Sequence, residues 1–222
     1  MRVSRSIIQP IIFGMLCGAS QIVHANLITN GSFESGIYAP PSNDTMSLGV
    51  GATNITGWTA ISDVIAWIGP SNPWSLTASS GDFFLDLTDY AFGAPFGGVS
   101  QTISTTPGQA YQLSFDLGSS NRWGRPSAIL ASANSTSVIF TGALTGGISD
   151  WENFILPFTA SSTSTIISLT GNVGQNYIGL DNVAVNAITS VPEPASMLLM
   201  LSGLSLLGFT VRRKYSLLPR MR

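Results

Sequence analysis

The stretch Tyr111-Gln112-Leu113-Ser114-Phe115-Asp116-Leu117 alternates apolar and polar side chains without a break. A strand sends successive side chains to opposite faces. Tyr111, Leu113, Phe115 and Leu117 therefore point one way, and Gln112, Ser114 and Asp116 the other. Similar rows flank it. Phe83, Leu85 and Leu87 alternate with Phe84, Asp86 and Thr88; Phe154, Leu156 and Phe158 make a further row, as do Val183 and Val185. Shorter strands are expected near 57–60, 64–68, 98–103, 127–133, 136–141, 164–170 and 177–181. Turn dipeptides separate them: Pro107-Gly108, Thr141-Gly142, Gly146-Gly147 and Gly171-Asn172. Period-two patterning without helical periodicity, in many short runs, predicts an all-β sandwich or barrel over residues 26–188.

Charged residues make up 9% of the 222-residue chain, against about 25% in ordinary domains. The formal net charge of −2 is unevenly placed: residues 26–188 hold ten acids against Arg122 and Arg125 and contain no lysine. Such a surface repels phosphate backbones, so no nucleic-acid partner is expected. Cys17 and His24 are the only residues of their kinds. Both fall in the first 25 residues, so the remainder has no thiolate, imidazole or disulfide chemistry.

The two ends read as addresses. Arg2 and Arg5 precede an apolar run from Ile7 to Ala19, and Val23-His24-Ala25 offers a small residue for cleavage. Residues 1–25 are expected to be a secretory signal peptide. At the other end, Ala195 to Val211 is uncharged and is followed at once by Arg212, Arg213 and Lys214. At ~1.5 Å per residue the run spans roughly 25 Å, enough for a single short transmembrane helix over 195–211. Its basic flank keeps the tail cytoplasmic and places the domain outside.

The order Val191-Pro192-Glu193-Pro194, apolar helix, basic cluster resembles the PEP-CTERM sorting signal, with 192–194 as its motif within a tail of 189–222. The resemblance implies an exosortase-type sorting protease as partner, transient anchoring in the inner membrane, and delivery to the cell surface or extracellular matrix of a biofilm-forming bacterium. The middle carries NLITNGSFESG (26–36), GWT (57–59), GDFFLDLT (81–88), VSQTISTTPGQAYQLSFDLG (99–118), WENFILPFTASSTSTIISLTG (151–171) and GLDNVAV (179–185). This order resembles the galactose-binding-like jelly roll of bacterial choice-of-anchor proteins and is similar to carbohydrate-binding modules. It implies a jelly-roll β-sandwich that interacts with polysaccharide and is not an enzyme. The alternatives are a polysaccharide hydrolase working through two carboxylates and a structural or adhesive matrix protein without a specific ligand.

Aromatics outside the alternating rows are the candidate ligand contacts. Trp67 and Trp74 bracket a loop, and Trp123 sits beside Arg122 and Arg125. The alternative for each Trp is to close an end of the core; Trp58 is assigned to the core outright. Glu34 and Asp181 lie in the opening and closing motifs, which a jelly roll brings together; the resemblance implies a structural calcium there. Calcium takes six to eight oxygens, and the competing reading is that both acids bind backbone amides. Asp82, Asp86 and Asp89 are read as turn and solvated-face acids, with Asp86 facing solvent or a sheet concavity. No carboxylate pair stands out for a hydrolase; Asp150 and Glu152 flank Trp151 and would share one strand face at a spacing compatible with catalysis but common by chance. The sequons at Asn30, Asn43, Asn54 and Asn134 are read as turn chemistry.

Overall fold

The computed structural model describes residues 26–124, 126–143 and 146–188. The expected signal peptide, the sorting tail with the span expected at 195–211, and Arg125 lie outside the described residues. Among the described residues no helix is long and apolar enough to cross a membrane.

Eleven strands run in order: β1 (Thr45–Leu48), β2 (Thr59–Ile61), β3 (Ile65–Ile68), β4 (Phe84–Asp86), β5 (Gly98–Ser104), β6 (Ala110–Ser119), β7 (Ala128–Ala133), β8 (Thr136–Thr141), β9 (Asp150–Thr159), β10 (Ser164–Val173) and β11 (Gly179–Ala187). They form a six-stranded sheet, β1-β3-β4-β11-β6-β9, and a five-stranded sheet, β2-β5-β10-β7-β8. Every pairing between them is antiparallel. Counted from β4 as one, the last eight strands lie in the orders 1-8-3-6 and 2-7-4-5. That alternation between two sheets is a jelly roll. Strands β1 and β3 widen one sheet and β2 the other.

The opening stretch is β6, which pairs with β11 on one side and β9 on the other. Its apolar row meets those of β9, β10, β7 and β5 in one core that includes Phe33, Trp58, Val99, Phe115, Ile129, Leu156 and Leu169. Burying each such side chain contributes roughly 1.5–3 kcal/mol before entropy is counted. The expected strands are present, with two differences. β1 is an addition: Thr-Met-Ser-Leu is short and follows left-handed Asn43 and Asp44 (φ 56° and 49°), so no alternation announces it. The runs at 177–181 and 183–185 are one strand. A bulge between Asp181 and Ala184, with Asn182 at φ 50°, shifts the parity. Leu180 and Val183 both reach the core although they are three residues apart.

Residues 69–83, between β3 and β4, fold back as a strap across the outer face of the six-stranded sheet. This covers a second apolar cluster of Ala66, Ile68, Leu76, Phe84 and Tyr177, with Trp74, Trp123 and Trp151 packed against it. Buried Asn72 shapes the strap by donating to the carbonyls of Gly69 (2.9 Å) and Leu76 (2.8 Å). The N-terminal segment runs along β11, with Leu27 N–H donating to Val185 O and Val183 N–H to Gly31 O, each at 2.9 Å. The opening and closing motifs are therefore neighbours.

Candidate ligand-binding cleft

The register sets Asp86 opposite Gly179, Gly179 opposite Gly118, and Ser119 opposite Asp150. The loops after β4 and β6 and before β9 and β11 therefore emerge at one end of the sandwich. The strap rises to meet them. Together they enclose a cleft of about 310 Å³ lined by Trp74, Leu76, Asp86, Tyr90, Trp123 and Asn176.

Its walls are aromatic. The rings of Trp74 and Tyr90 lie 4.9 Å apart at 38°. Trp123 Nε1–H donates to the carbonyl of Trp74 at 3.3 Å, joining the β6–β7 loop to the strap. The Arg122 guanidinium sits 4.6 Å from the centre of the Trp123 ring, a cation–π contact. Burial, then the nearby Asp86 and Asp89, hold the Tyr90 hydroxyl above its ordinary pKa, so it remains a neutral donor.

Asp86 lines the bottom of the cleft and is fully buried, which corrects the expectation that it is a solvated-face acid; the strap and the end loops cover that face. Its Oδ1 accepts the Ile178 N–H (2.9 Å), the Thr88 N–H (3.0 Å) and the Thr88 hydroxyl (3.0 Å); its Oδ2 accepts the Tyr90 N–H (3.3 Å). Burial pushes its pKa from 3.8 up to about 6, against the pull of those donors.

The structure thus brings Trp74, Trp123 and Arg122 together. Trp67 does not join them. It is 1% exposed, donates from Nε1 to Phe33 O at 3.1 Å, and stacks edge-on with Tyr38. Strand β3 is buried on both faces, so its tryptophan belongs to the core. Arg125 and the sorting residues Val191, Pro192, Glu193, Pro194, Arg212, Arg213 and Lys214 lie outside the described residues. Tyr90 and Asn176 join the cleft without having been expected there. Tyr90 follows an alternating row, so the test that singles out Trp74 would find it; Asn176 carries no sequence signal.

Glu34 and Asp181 grip one stretch of the strap from its two ends. Asp181 Oδ2 accepts the N–H groups of Ser79 and Ser80, both at 2.8 Å. Glu34 Oε1 accepts those of Asp82 (2.9 Å) and Phe83 (2.8 Å). Asp181 Oδ1 takes the Asn182 N–H at 2.6 Å. Burial is the main cause that raises the Asp181 pKa to about 7, and Asp116, opposite it across the strands, adds to the rise. Among the described residues no group of three or more His, Cys, Asp or Glu converges on a metal position. Three of the four oxygens of this pair accept backbone amides, the role set against calcium for both acids.

Amide binding is a general habit of these acids. Glu34, Asp44, Asp63, Asp86, Asp150, Glu152 and Asp181 each accept at least one backbone N–H. Asp150 and Glu152, the two acids at a spacing compatible with catalysis, serve the loop before β9, taking Gly147 N–H at 2.7 Å and Ala143 N–H at 2.8 Å.

Residues 26–186 match the family described as protein of unknown function DUF642. The chain belongs to the DUF642 family. Residues 190–214 match the PEP-CTERM protein-sorting motif, which implies exosortase processing of an exported chain that is held briefly in the membrane before release. No protein of curated function matches the chain. Among solved structures, this DUF642 chain is similar to a family 61 carbohydrate-binding module in complex with β-1,4-galactotriose. Identity there is 17%, covering 74% of this chain and 99% of that one, with a TM-score of 0.42. A family 35 carbohydrate-binding module from Clostridium thermocellum is 13% identical over 63% of this chain and 97% of that one, with a TM-score of 0.42. The adhesin domain K1 of Lys-gingipain from Porphyromonas gingivalis W83 is 12% identical over 65% and 99%, with a TM-score of 0.44.

Proposed function

We propose that this DUF642 protein is a non-catalytic polysaccharide-binding component of the cell surface or extracellular matrix, delivered there through its sorting tail. The observation that carries this reading is the aromatic cleft. Flat rings of Trp74, Tyr90 and Trp123 offer apolar faces on which a sugar ring can stack, and Asn176, Tyr90 and Arg122 supply polar groups around them. The carboxylates support a non-catalytic role. Among the described residues Asp86 is the one acid that lines the cleft, and both its oxygens are already engaged. Glycoside hydrolysis needs two free carboxyl groups across the scissile bond.

The test is affinity electrophoresis of the full-length chain in detergent, through gels cast with soluble polysaccharides. At least one polymer should retard it, and Trp74→Ala and Trp123→Ala should each weaken that binding about tenfold or more, as loss of a central aromatic anchor does. Migration unchanged in every polymer would leave a structural matrix protein without a specific ligand. Reducing sugar released from a bound polymer would restore the hydrolase.

A further inference from the structure

Resting on the polysaccharide-binding reading, we infer that the cleft selects acidic saccharides and that Arg122 at its rim forks their carboxylate or sulfate group.

The argument starts from scarcity. The domain has two arginines and no lysine against ten acids. A cation in such company ordinarily finds a carboxylate. Arg122 has not done so among the described residues: its guanidinium makes no ion pair there. The residue is exposed yet held at both ends. Its N–H donates to Ser120 Oγ at 3.2 Å, and its guanidinium rests on the Trp123 ring.

No guanidinium N–H of Arg122 donates to a carboxylate among the described residues. The five N–H donors lie in the plane of the group, in a fork that matches two oxygens of a carboxylate or sulfate. The Trp123 that orients this fork is also a wall of the cleft. A sugar stacked between the walls therefore presents an acidic substituent to a donor already in place. A neutral sugar would leave the domain's only described cation unused.

Two negative charges oppose an anion here, and both are answered. Asp86 lines the bottom of the cleft, buried, with four donors on its oxygens. The acidic domain repels a polyanion at long range, but at physiological ionic strength that field is screened beyond about 8 Å.

The experiment compares charged polymers with their own neutral forms at about 150 mM salt, using the full-length chain in detergent. Polygalacturonate and alginate are each paired with the carboxyl-reduced polymer, and dextran sulfate with dextran. Wild type should bind at least one acidic member about 10- to 100-fold more tightly than its partner, the usual worth of a charge-assisted hydrogen bond. The carboxylated and sulfated arms tell which anion is taken. Arg122→Gln should erase the preference without lowering the melting temperature, and Arg122→Lys should keep part of it. Equal or tighter binding of the neutral partners overturns the inference and leaves the polysaccharide-binding reading standing. A preference that survives in Arg122→Gln overturns it too. Binding of no polymer by wild type removes both readings together. The wild-type comparison stands by itself if Arg122→Gln fails to fold.

Discussion

Gly118 and Gly179 face each other across β6 and β11, and the phenol of Tyr177 lies over both. A Cβ on Gly179 would stand 2.4 Å from the Tyr177 hydroxyl and 2.7 Å from Gly118 Cα; one on Gly118 would stand 2.6 Å from the hydroxyl. The two glycines make the floor on which this buried ring closes the sheet beneath the cleft. Gly179→Ala should therefore destabilise the protein by about 1–3 kcal/mol, the usual cost of overpacking, read as a lower Tm. Combining it with Tyr177→Ala, itself a costly loss of a buried ring, should lower stability by less than the sum of the two single losses, because the second change removes the atoms the first one meets. A wild-type melt for Gly179→Ala would show that the ring does not rest there. Nothing in the sequence announces this pair, since glycine in a strand equally marks a bulge. Trp74 and Trp123 were legible because they fall outside the alternating rows; Trp67 was not separable from them, because Ile-Ala-Trp-Ile carries no polar alternate to tell a core strand from a loop flank.

The strap explains most of what the strand pattern left out. Alternation reports a strand with one wet face, and β6, β9 and β10 show it. β3 and β4 are dry on both faces because residues 69–83 cover them, and no periodicity in that segment foretells where it lies. Its hold on the sheet comes from Asp181 at one point and Glu34 at another. Asp181→Ala leaves the N–H groups of Ser79 and Ser80 without their acceptor, at about 1–3 kcal/mol for each group left unsatisfied. The strap should then loosen, with faster proteolytic nicking between 70 and 80 and a lower Tm. The same two carboxylates were the expected calcium ligands, and EDTA separates the two roles. Chelation should leave the wild-type melt unchanged; a drop of several degrees, reversed by added calcium, would make the strap a metal-bound element instead.

At the scale of the whole molecule, a domain with ten acids and two arginines cannot balance its charge by ion pairs. Its carboxylates organise loops by accepting amide hydrogens, and some are buried in doing so. Burial is the largest cause that lifts Asp86 from 3.8 to about 6 and Asp181 to about 7; it raises Asp89 as well. In each case the folded state holds its proton more tightly than the unfolded chain. That contribution to stability is complete below the unfolded value near 3.8. It is lost as pH rises toward 6 for Asp86 and toward 7 for Asp181, and is level above that. A tenfold gain in proton affinity is worth about 1.4 kcal/mol, so the change for Asp86 alone is on the order of 3 kcal/mol. Protonation also relieves the mutual repulsion of the acids, which acts in the same direction. Calorimetry between pH 4 and pH 8 should find the highest Tm at the acid end and a decline that levels off above pH 7. Asp86→Asn should make the decline between pH 4 and pH 6 shallower, leaving the contribution of Asp181, which runs on to about pH 7. A Tm that climbs across the same interval would mean that the amide donors outweigh burial and that these carboxylates ionise more readily folded than unfolded.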